Sequence, residues 1–276
     1  MRRREFIRLT TAAMAMPPWW DIWTSPMTIS ASGFVDLTKN TLAIETVTGG
    51  TFQYNVAGVN PSDTAADPGG FGTPIRRFQS TEVAGGTASY ARLRMTFGTP
   101  VANLWTIQKY RWTNDSAAQI GAIQALSIRD STDAILIASL SSGASFGRWG
   151  LHGSATYNLT HNLLIDTTYI IKTGWDIDTV TGDQTYSAYE YTGGAWVNLF
   201  AAPVVVNTDP ATRAGYLQPI CLPATATSNS TGGTKTVYHG QYLFWGATDA
   251  QVTALWITSQ QGRSRGRSRG RGGDDA

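Results

Sequence analysis

Thr168-Tyr169-Ile170-Ile171-Lys172-Thr173-Gly174-Trp175-Asp176-Ile177, then Asp178-Thr179-Val180-Thr181-Gly182-Asp183, then Tyr186-Ser187-Ala188-Tyr189-Glu190-Tyr191, is the stretch whose reading decides the fold. Side chains two apart in an extended chain share a face. In the first run Tyr169, Ile171, Thr173, Trp175 and Ile177 therefore line one side, with Ile170, Lys172, Gly174 and Asp176 on the other. The Asp- and Gly-bearing run 178–183 reads as a turn, and Thr192-Gly193-Gly194 turns the chain again into Ala195-Trp196-Val197-Asn198-Leu199. This is a three-stranded antiparallel meander.

The same alternation, bounded by Gly, Pro, Asn and Asp, recurs at 42–47, 51–59, 89–97, 104–112, 120–128, 134–139, 214–220 and 236–245. With the meander this makes eleven candidate strands, enough for two antiparallel sheets packed face to face. The composition agrees: only 14% of residues are charged, against 29 Gly and 11% aromatics. Residues 60–87, with Pro61, Pro68 and Pro74, read as a surface excursion. One short helix is expected from Asp249, N-capped by Thr248, with Val252, Leu255 and Trp256 at helical spacing.

The net charge of +2 belongs to the two ends. Arg2, Arg3, Arg4 and Arg8 open the chain, and Arg263, Arg265, Arg267, Arg269 and Arg271 lie near its close. Residues 25–260 hold 12 Lys+Arg against 15 Asp+Glu, so the body is not a nucleic-acid binder by charge. Residues 1–27 form an N-terminal arm, 28–260 a single sandwich domain, and 261–276 an Arg/Gly/Ser-rich tail expected to be disordered. That tail reads either as a contact for polyanions or as a solubilising segment.

Arg3-Arg4-Glu5-Phe6-Ile7-Arg8 resembles a twin-arginine export signal, but the apolar stretch after it is short and ends at Pro17-Pro18. A degenerate signal and translation from Met27 stand as alternatives. The stretch is too short to span a membrane. The lone Cys221 excludes an intrachain disulfide and reads as a buried small hydrophobe.

The run Trp175-Asp176-Ile177-Asp178-Thr179-Val180-Thr181-Gly182, the closing strand Val237-Tyr238-His239-Gly240-Gln241-Tyr242-Leu243-Phe244-Trp245 and the helical turn after it resemble the concanavalin A-like lectin/glucanase group, which includes laminin G-like domains. The resemblance spans roughly residues 85–258. It implies an all-β jelly-roll sandwich with one short C-terminal helix, and a choice among binding, lyase and hydrolase functions. A structural calcium is common in that group. Asp176, Asp178 and Asp183 are the candidate ligands here, set against a metal-free turn. No organic cofactor motif is present.

A retaining hydrolase needs two carboxylates about 5 Å apart, yet Glu45, Glu82 and Glu190 are the only glutamates of the body and are dispersed. An alginate-lyase-like site has only faint echoes in Arg92-Leu93-Arg94 and Tyr169–Gly174, and its Gln-x-His element is missing. Tyr238 and His239 are adjacent on one strand, so they face opposite sides. His152, His161 and His239 lack metal-ligand spacing.

Ten Trp and eleven Tyr exceed what the core requires, and aromatic rings stack on sugars. The candidate carbohydrate-binding residues are Trp112, Trp149, His152, Tyr191 and Trp196, and each of the aromatics taken singly reads more readily as a plug at a sandwich edge or a ring packed under a loop; Trp105, Trp175 and Trp245 read as core. The leading reading is a non-catalytic carbohydrate- or surface-binding module of lectin type, extracellular or at a cell surface. The alternatives are a phage or surface-filament protein capable of self-assembly, or a polysaccharide lyase or hydrolase.

Overall fold

The computed structural model describes residues 27–37, 44–47, 50–55, 75–82, 90–114, 123–133, 136–142, 148–150, 159–160, 163–202, 204–223 and 233–269. Its strands are β1 (Met27–Ile29), β2 (Gly33–Asp36), β3 (Ile44–Val47), β4 (Gly50–Asn55), β5 (Ile75–Glu82), β6 (Tyr90–Leu93), β7 (Met95–Val101), β8 (Asn103–Asn114) and β9 (Ile123–Asp130). Then come β10 (Leu136–Ser142), β11 (Arg148–Gly150), β12 (Thr168–Ile177), β13 (Asp183–Thr192), β14 (Ala195–Asn198), β15 (Val204–Asn207), β16 (Ala214–Pro223), β17 (Gly233–Gly240) and β18 (Tyr242–Gly246). The chain closes with α1 (Asp249–Arg269).

Two sheets form the sandwich. The eight-stranded sheet runs β1-β7-β16-β9-β10-β11, with β6 also on β16 and β3 on β6. The ten-stranded sheet runs β14-β13-β12-β8-β17-β5-β4, with β15 on β13 and β18 bridging β2 and β8. Pairing is antiparallel except between β1 and β7. This is the two-sheet, jelly-roll-type architecture that the alternation implies.

The meander lies where the sequence places it. Tyr189 pairs with Lys172 on one side and with Asn198 on the other. The Asp178 carboxylate accepts from the amides of Val180 (2.7 Å) and Thr181 (3.1 Å), closing the first turn. Gly193 and Gly194 both have positive φ (58° and 86°), as a two-residue hairpin of matching twist requires. Ile171, Thr173, Trp175 and Ile177 point inward and are buried, joined by Leu104, Tyr110 and Trp112 from β8 and by Met95, Leu126, Ile128 and Leu217 from the opposite sheet. Burying such apolar area is the main force holding the sheets together.

Three features differ from the sequence reading. The excursion at 60–87 contains a full strand, β5, between β17 and β4. Its Arg76-Arg77 pair hides the alternation, because Arg76 points inward and donates through Nε to the Leu37 carbonyl. The closing strand is broken at Gln241, so that β17 pairs with β5 while β18 pairs with β2. The helix is far longer than one turn. Its backbone stays helical to Arg269, into the segment expected to be disordered. Arginine is a good helix former, and the helix is seeded by a sound N-cap: the Thr248 hydroxyl accepts from the Gln251 amide at 3.2 Å. The arm before residue 27 and residues 270–276 lie outside the described residues.

Val252, Leu255 and Trp256 do form the buried face of the helix, against Trp105, Ile107 and Phe244 on the outer face of the ten-stranded sheet. The Trp105 ring lies so close over β12 that a Cβ on Gly174 would sit 2.7 Å from it, which is why that position is glycine.

Candidate functional site

The aromatic residues singled out in the sequence separate into two groups. Trp112 and Trp149 are wholly buried in the core, and their indole N–H groups donate to the carbonyls of Ile123 and Gly174, both at 3.1 Å. Neither presents a face to a sugar. Both strands carry them inward in phase with the core. His152 and His161 lie outside the described residues.

Tyr191 and Trp196 are brought together, as register partners across β13 and β14, with ring centroids 5.2 Å apart. Their partner, however, is Trp256 of the helix, at 4.8 Å from Tyr191 and 5.4 Å from Trp196, both edge-on. Beside them the ammonium of Lys172 lies 4.6 Å from the Trp196 ring and 4.8 Å from that of Tyr189, and 2.6 Å from the Asp249 carboxylate at the start of the helix. These rings clamp the helix to the sheet.

The three aspartates are not gathered for a metal. Asp176 accepts both contacts from the Trp105 indole at 3.0 Å, and Asp178 is engaged by its own turn. Burial pushes the Asp176 carboxyl up, the Trp105 hydrogen bond pulls it back, and the Asp249 charge adds to the rise. The two backbone amides hold Asp178 below the usual range. Among the described residues no group of three His, Cys, Asp or Glu side chains is placed to hold a metal ion.

Tyr238 and His239 take opposite sides of β17, as adjacent strand residues must. His239 points into the core against Phe78 and Tyr110, at 4.9 Å and 5.5 Å between ring centroids. Burial pushes the imidazole down to about 3, opposed by the nearby Ile220 backbone and reinforced by the Arg76 charge. It is a neutral core residue, closed off from any cleft.

The site that composition did not reveal lies on the outer face of the eight-stranded sheet. Three short runs share one pattern: Arg92-Leu93-Arg94, Ser127-Ile128-Arg129 and Tyr216-Leu217-Gln218. In each, the central aliphatic is fully buried toward the other sheet, so the flanking polar residues point outward. β16 is the middle strand: Tyr216 pairs with Thr96 and Arg129, Gln218 with Ser127, and Ile220 with Arg92. Three arginines, a tyrosine, a glutamine and a serine thus converge on one face.

Their common partner is Asp133, in the turn after β9. Its Oδ2 lies 3.4 Å from Arg92 Nη2 and 3.2 Å from Arg94 Nη2. Its Oδ1 lies 3.6 Å from Arg129 Nε and accepts from the Gln218 amide at 3.0 Å. Gln218 Oε1 in turn accepts from Ser127 Oγ (3.1 Å) and Arg92 Nη1 (3.3 Å). The Arg94 guanidinium lies 4.6 Å above the Tyr216 ring. The cluster reaches the surface, Arg94 and Arg129 each being 25% exposed.

Two backbone features set this geometry. Asp133 has φ of 60°, a left-handed conformation uncommon outside glycine, which aspartate tolerates better than most residues. A Cβ on Gly215 would lie 2.3 Å from Ser131 Cα, so the absence of a side chain there lets the turn settle onto β16. Chemically, the face offers several N–H donors, one hydroxyl-bearing ring and more positive than negative charge: three guanidiniums to one carboxylate among the described side chains.

No protein-family model matches the chain, and no curated protein matches its sequence. Among solved structures it is similar to the cellulose induced protein Cip1, with TM-score 0.46 and 11% identity, covering 78% of this chain and 97% of that one. It is similar also to the alginate lyase AlgAT5 from polysaccharide lyase family 7, with TM-score 0.42 and 12% identity over 62% and 78% of the two chains. A third is the lectin UEA-II complexed with galactose, with TM-score 0.37 and 10% identity over 78% and 98%. No residue role passes from them to this chain.

Proposed function

We propose that this chain is a non-catalytic glycan-binding module of lectin type, working outside a cell or at its surface, with the outer face of the eight-stranded sheet as its binding face. The observation that carries the reading is the convergence of Arg92, Arg94, Arg129, Tyr216, Gln218 and Ser127 on one face while α1 occupies the other sheet. Saccharide hydroxyls need fixed donors beside an apolar platform; the part-exposed Arg94, Arg129 and Tyr216 supply both, while Gln218 is buried beneath them and orients Arg92.

The non-catalytic choice has a physical basis. A retaining or inverting hydrolase uses two carboxylates flanking the scissile bond. The carboxylate whose side chain is described on this face, Asp133, is bridged by guanidiniums, and Glu45 of β3 stands opposite Arg92 by register. An eliminating enzyme would need the arginines aimed at a substrate carboxylate, whereas here they are turned onto Asp133.

A glycan array with product analysis on the full chain tests this. Retention of defined glycans, lost in Tyr216→Ala and Arg94→Ala with no cleaved or unsaturated product, is the expected result. Product formation would overturn the non-catalytic reading, and binding untouched by both substitutions would overturn the site.

A further inference from the structure

We infer that the groove between α1 and strands β2 and β18 is a second binding site, for a small, uncharged, ring-bearing apolar molecule. It lies on the outer face of the ten-stranded sheet, across the sandwich from the glycan face proposed above, and does not depend on that reading.

Strand alternation and helix spacing open the groove. Val35 and Leu37 of β2 point into the core, so Phe34 points out, beside Tyr242 and Phe244 of β18. The three rings lie 5.7, 5.9 and 6.0 Å apart at mixed angles. On α1, Val252, Leu255 and Trp256 face the sheet, whereas Gln251, Ala254 and Thr258 share the flank that lines the groove. Ala254 carries only a methyl group there, so the helix leaves the space in front of Phe34 unfilled. What remains is a groove of about 670 Å³, in which Phe34 is 51% exposed. Sites for small molecules measure about 300–1,000 Å³.

The walls are fixed, which keeps the groove open. The helix is capped by Thr248, tied through Asp249 to Lys172 at 2.6 Å, and packed by Trp256 against Tyr191 and Trp196. Gln251 Oε1 accepts from the Ala247 amide at 2.9 Å and so holds the groove's own flank. β2 is fastened at both ends: the Trp245 indole donates to the Ser30 carbonyl at 2.9 Å, and the Gln241 amide to the Asp36 carboxylate at 3.0 Å. A ligand therefore meets a preorganised site and covers a ring otherwise left in water.

The lining decides the class of ligand. No Asp, Glu, Lys or Arg is among the described residues around the groove, so a charged group placed there would lose water without gaining a partner. The Thr258 hydroxyl donates to the Ala254 carbonyl at 2.9 Å, and that of Ser259 to the Trp256 carbonyl at 2.7 Å. Both protons are spent on the helix itself, so a sugar would find few of the fixed donors its oxygens need. A ring system makes no such demand, and it extends the Phe34, Tyr242 and Phe244 cluster by the same face and edge contacts.

The test is a fluorescence titration of the full chain with the uncharged probe N-phenylnaphthylamine. Saturable binding of a single probe molecule is expected, with naphthol displacing it better than decanol and cellobiose not displacing it. Phe34→Ala should weaken binding about tenfold, the ratio that follows from losing roughly 60 Å² of ring contact. Ala254→Trp should abolish it by filling the groove. Thr258→Trp, on the same flank one turn on, should block it as well, so a folding defect in one variant does not decide the matter. Val205→Ala trims another exposed apolar residue of the same sheet and should change nothing, and neither should Arg94→Ala on the opposite face.

No binding, unsaturable binding, or binding untouched by Phe34→Ala and both tryptophan variants overturns the site. Displacement by cellobiose, or by decanol as readily as by naphthol, overturns the class of ligand. A wild-type dimer that Ala254→Trp converts to monomer on a sizing column would make a second copy the occupant. Probe binding that appears only when Trp19, Trp20 and Trp23 are changed to serine would make the chain's own first residues the occupant. Either of these two results contradicts the inference.

Discussion

The two outer faces of the sandwich obey the same strand alternation and end in opposite states. On the ten-stranded sheet the outward residues include Trp105, Ile107, Tyr189, Trp196 and Phe244, and α1 lies down on them through Val252, Leu255 and Trp256. On the eight-stranded sheet they include Arg92, Arg94, Ser127, Arg129, Tyr216 and Gln218, gathered around Asp133 with no described helix above them. An aromatic surplus in a β-sandwich is thus not in itself a sign of ligand. Here much of it seals a helix to a sheet, and the face we propose to meet a glycan is the one rich in arginine.

The sharpest way to break this comparison is to cut the core common to both faces. Trp112→Ala leaves a large cavity beside Tyr110 and Tyr169 and should cost about 3–5 kcal/mol, measured by denaturant unfolding. A residue that served a sugar from the surface would cost little stability, so a loss under about 1 kcal/mol would return Trp112 to the list of ligand contacts.

Next in size is the response to acid. His239 is held neutral in the core with its pKa pushed down to about 3, whereas the unfolded chain binds a proton near 6.5. The folded pKa is the lower one, so this group's contribution is complete above about pH 6.5. It is lost as pH falls from there toward 3, at up to about 1.4 kcal/mol per pH unit. Replacing His239 with glutamine should flatten the stability profile across that window. An unchanged slope would mean that another group governs it.

Smaller still is the effect of unsealing the helix. Trp256→Ala removes two edge-to-face ring contacts and part of the helix's apolar face, and should cost about 1–2 kcal/mol. It should leave glycan affinity unaltered. Loss of binding without loss of stability would exchange the roles of the two faces.

Much of the fold was legible because strand alternation is a strong signal wherever one side is apolar. Thr168–Asn198 and the helix cap at Thr248 came straight from it. β5 was not, because Arg76 faces the core, where the Leu37 carbonyl satisfies it, a tertiary partner that no local pattern contains. The site was harder to read. Trp112 and Trp149 attracted notice through polar neighbours in sequence, yet their own phase on the strand sends them inward. The useful signal was quieter: Arg-Leu-Arg, Ser-Ile-Arg and Tyr-Leu-Gln each put a buried aliphatic between two outward polar residues. That β16 lies between the other two is a matter of topology, and so is the placing of Asp133 beneath all three arginines.

The central claim, that the eight-stranded sheet carries the glycan-binding face, is tested most directly by mapping amide chemical-shift changes as a glycan retained on the array is titrated into the isotope-labelled full chain. The account predicts changes concentrated on β6, β7, β9 and β16 and on the turn at Asp133, with β13, β14 and the first turns of α1 unmoved. Changes centred on Tyr191, Trp196 and Trp256, with Arg92, Arg94 and Gln218 silent, would contradict it.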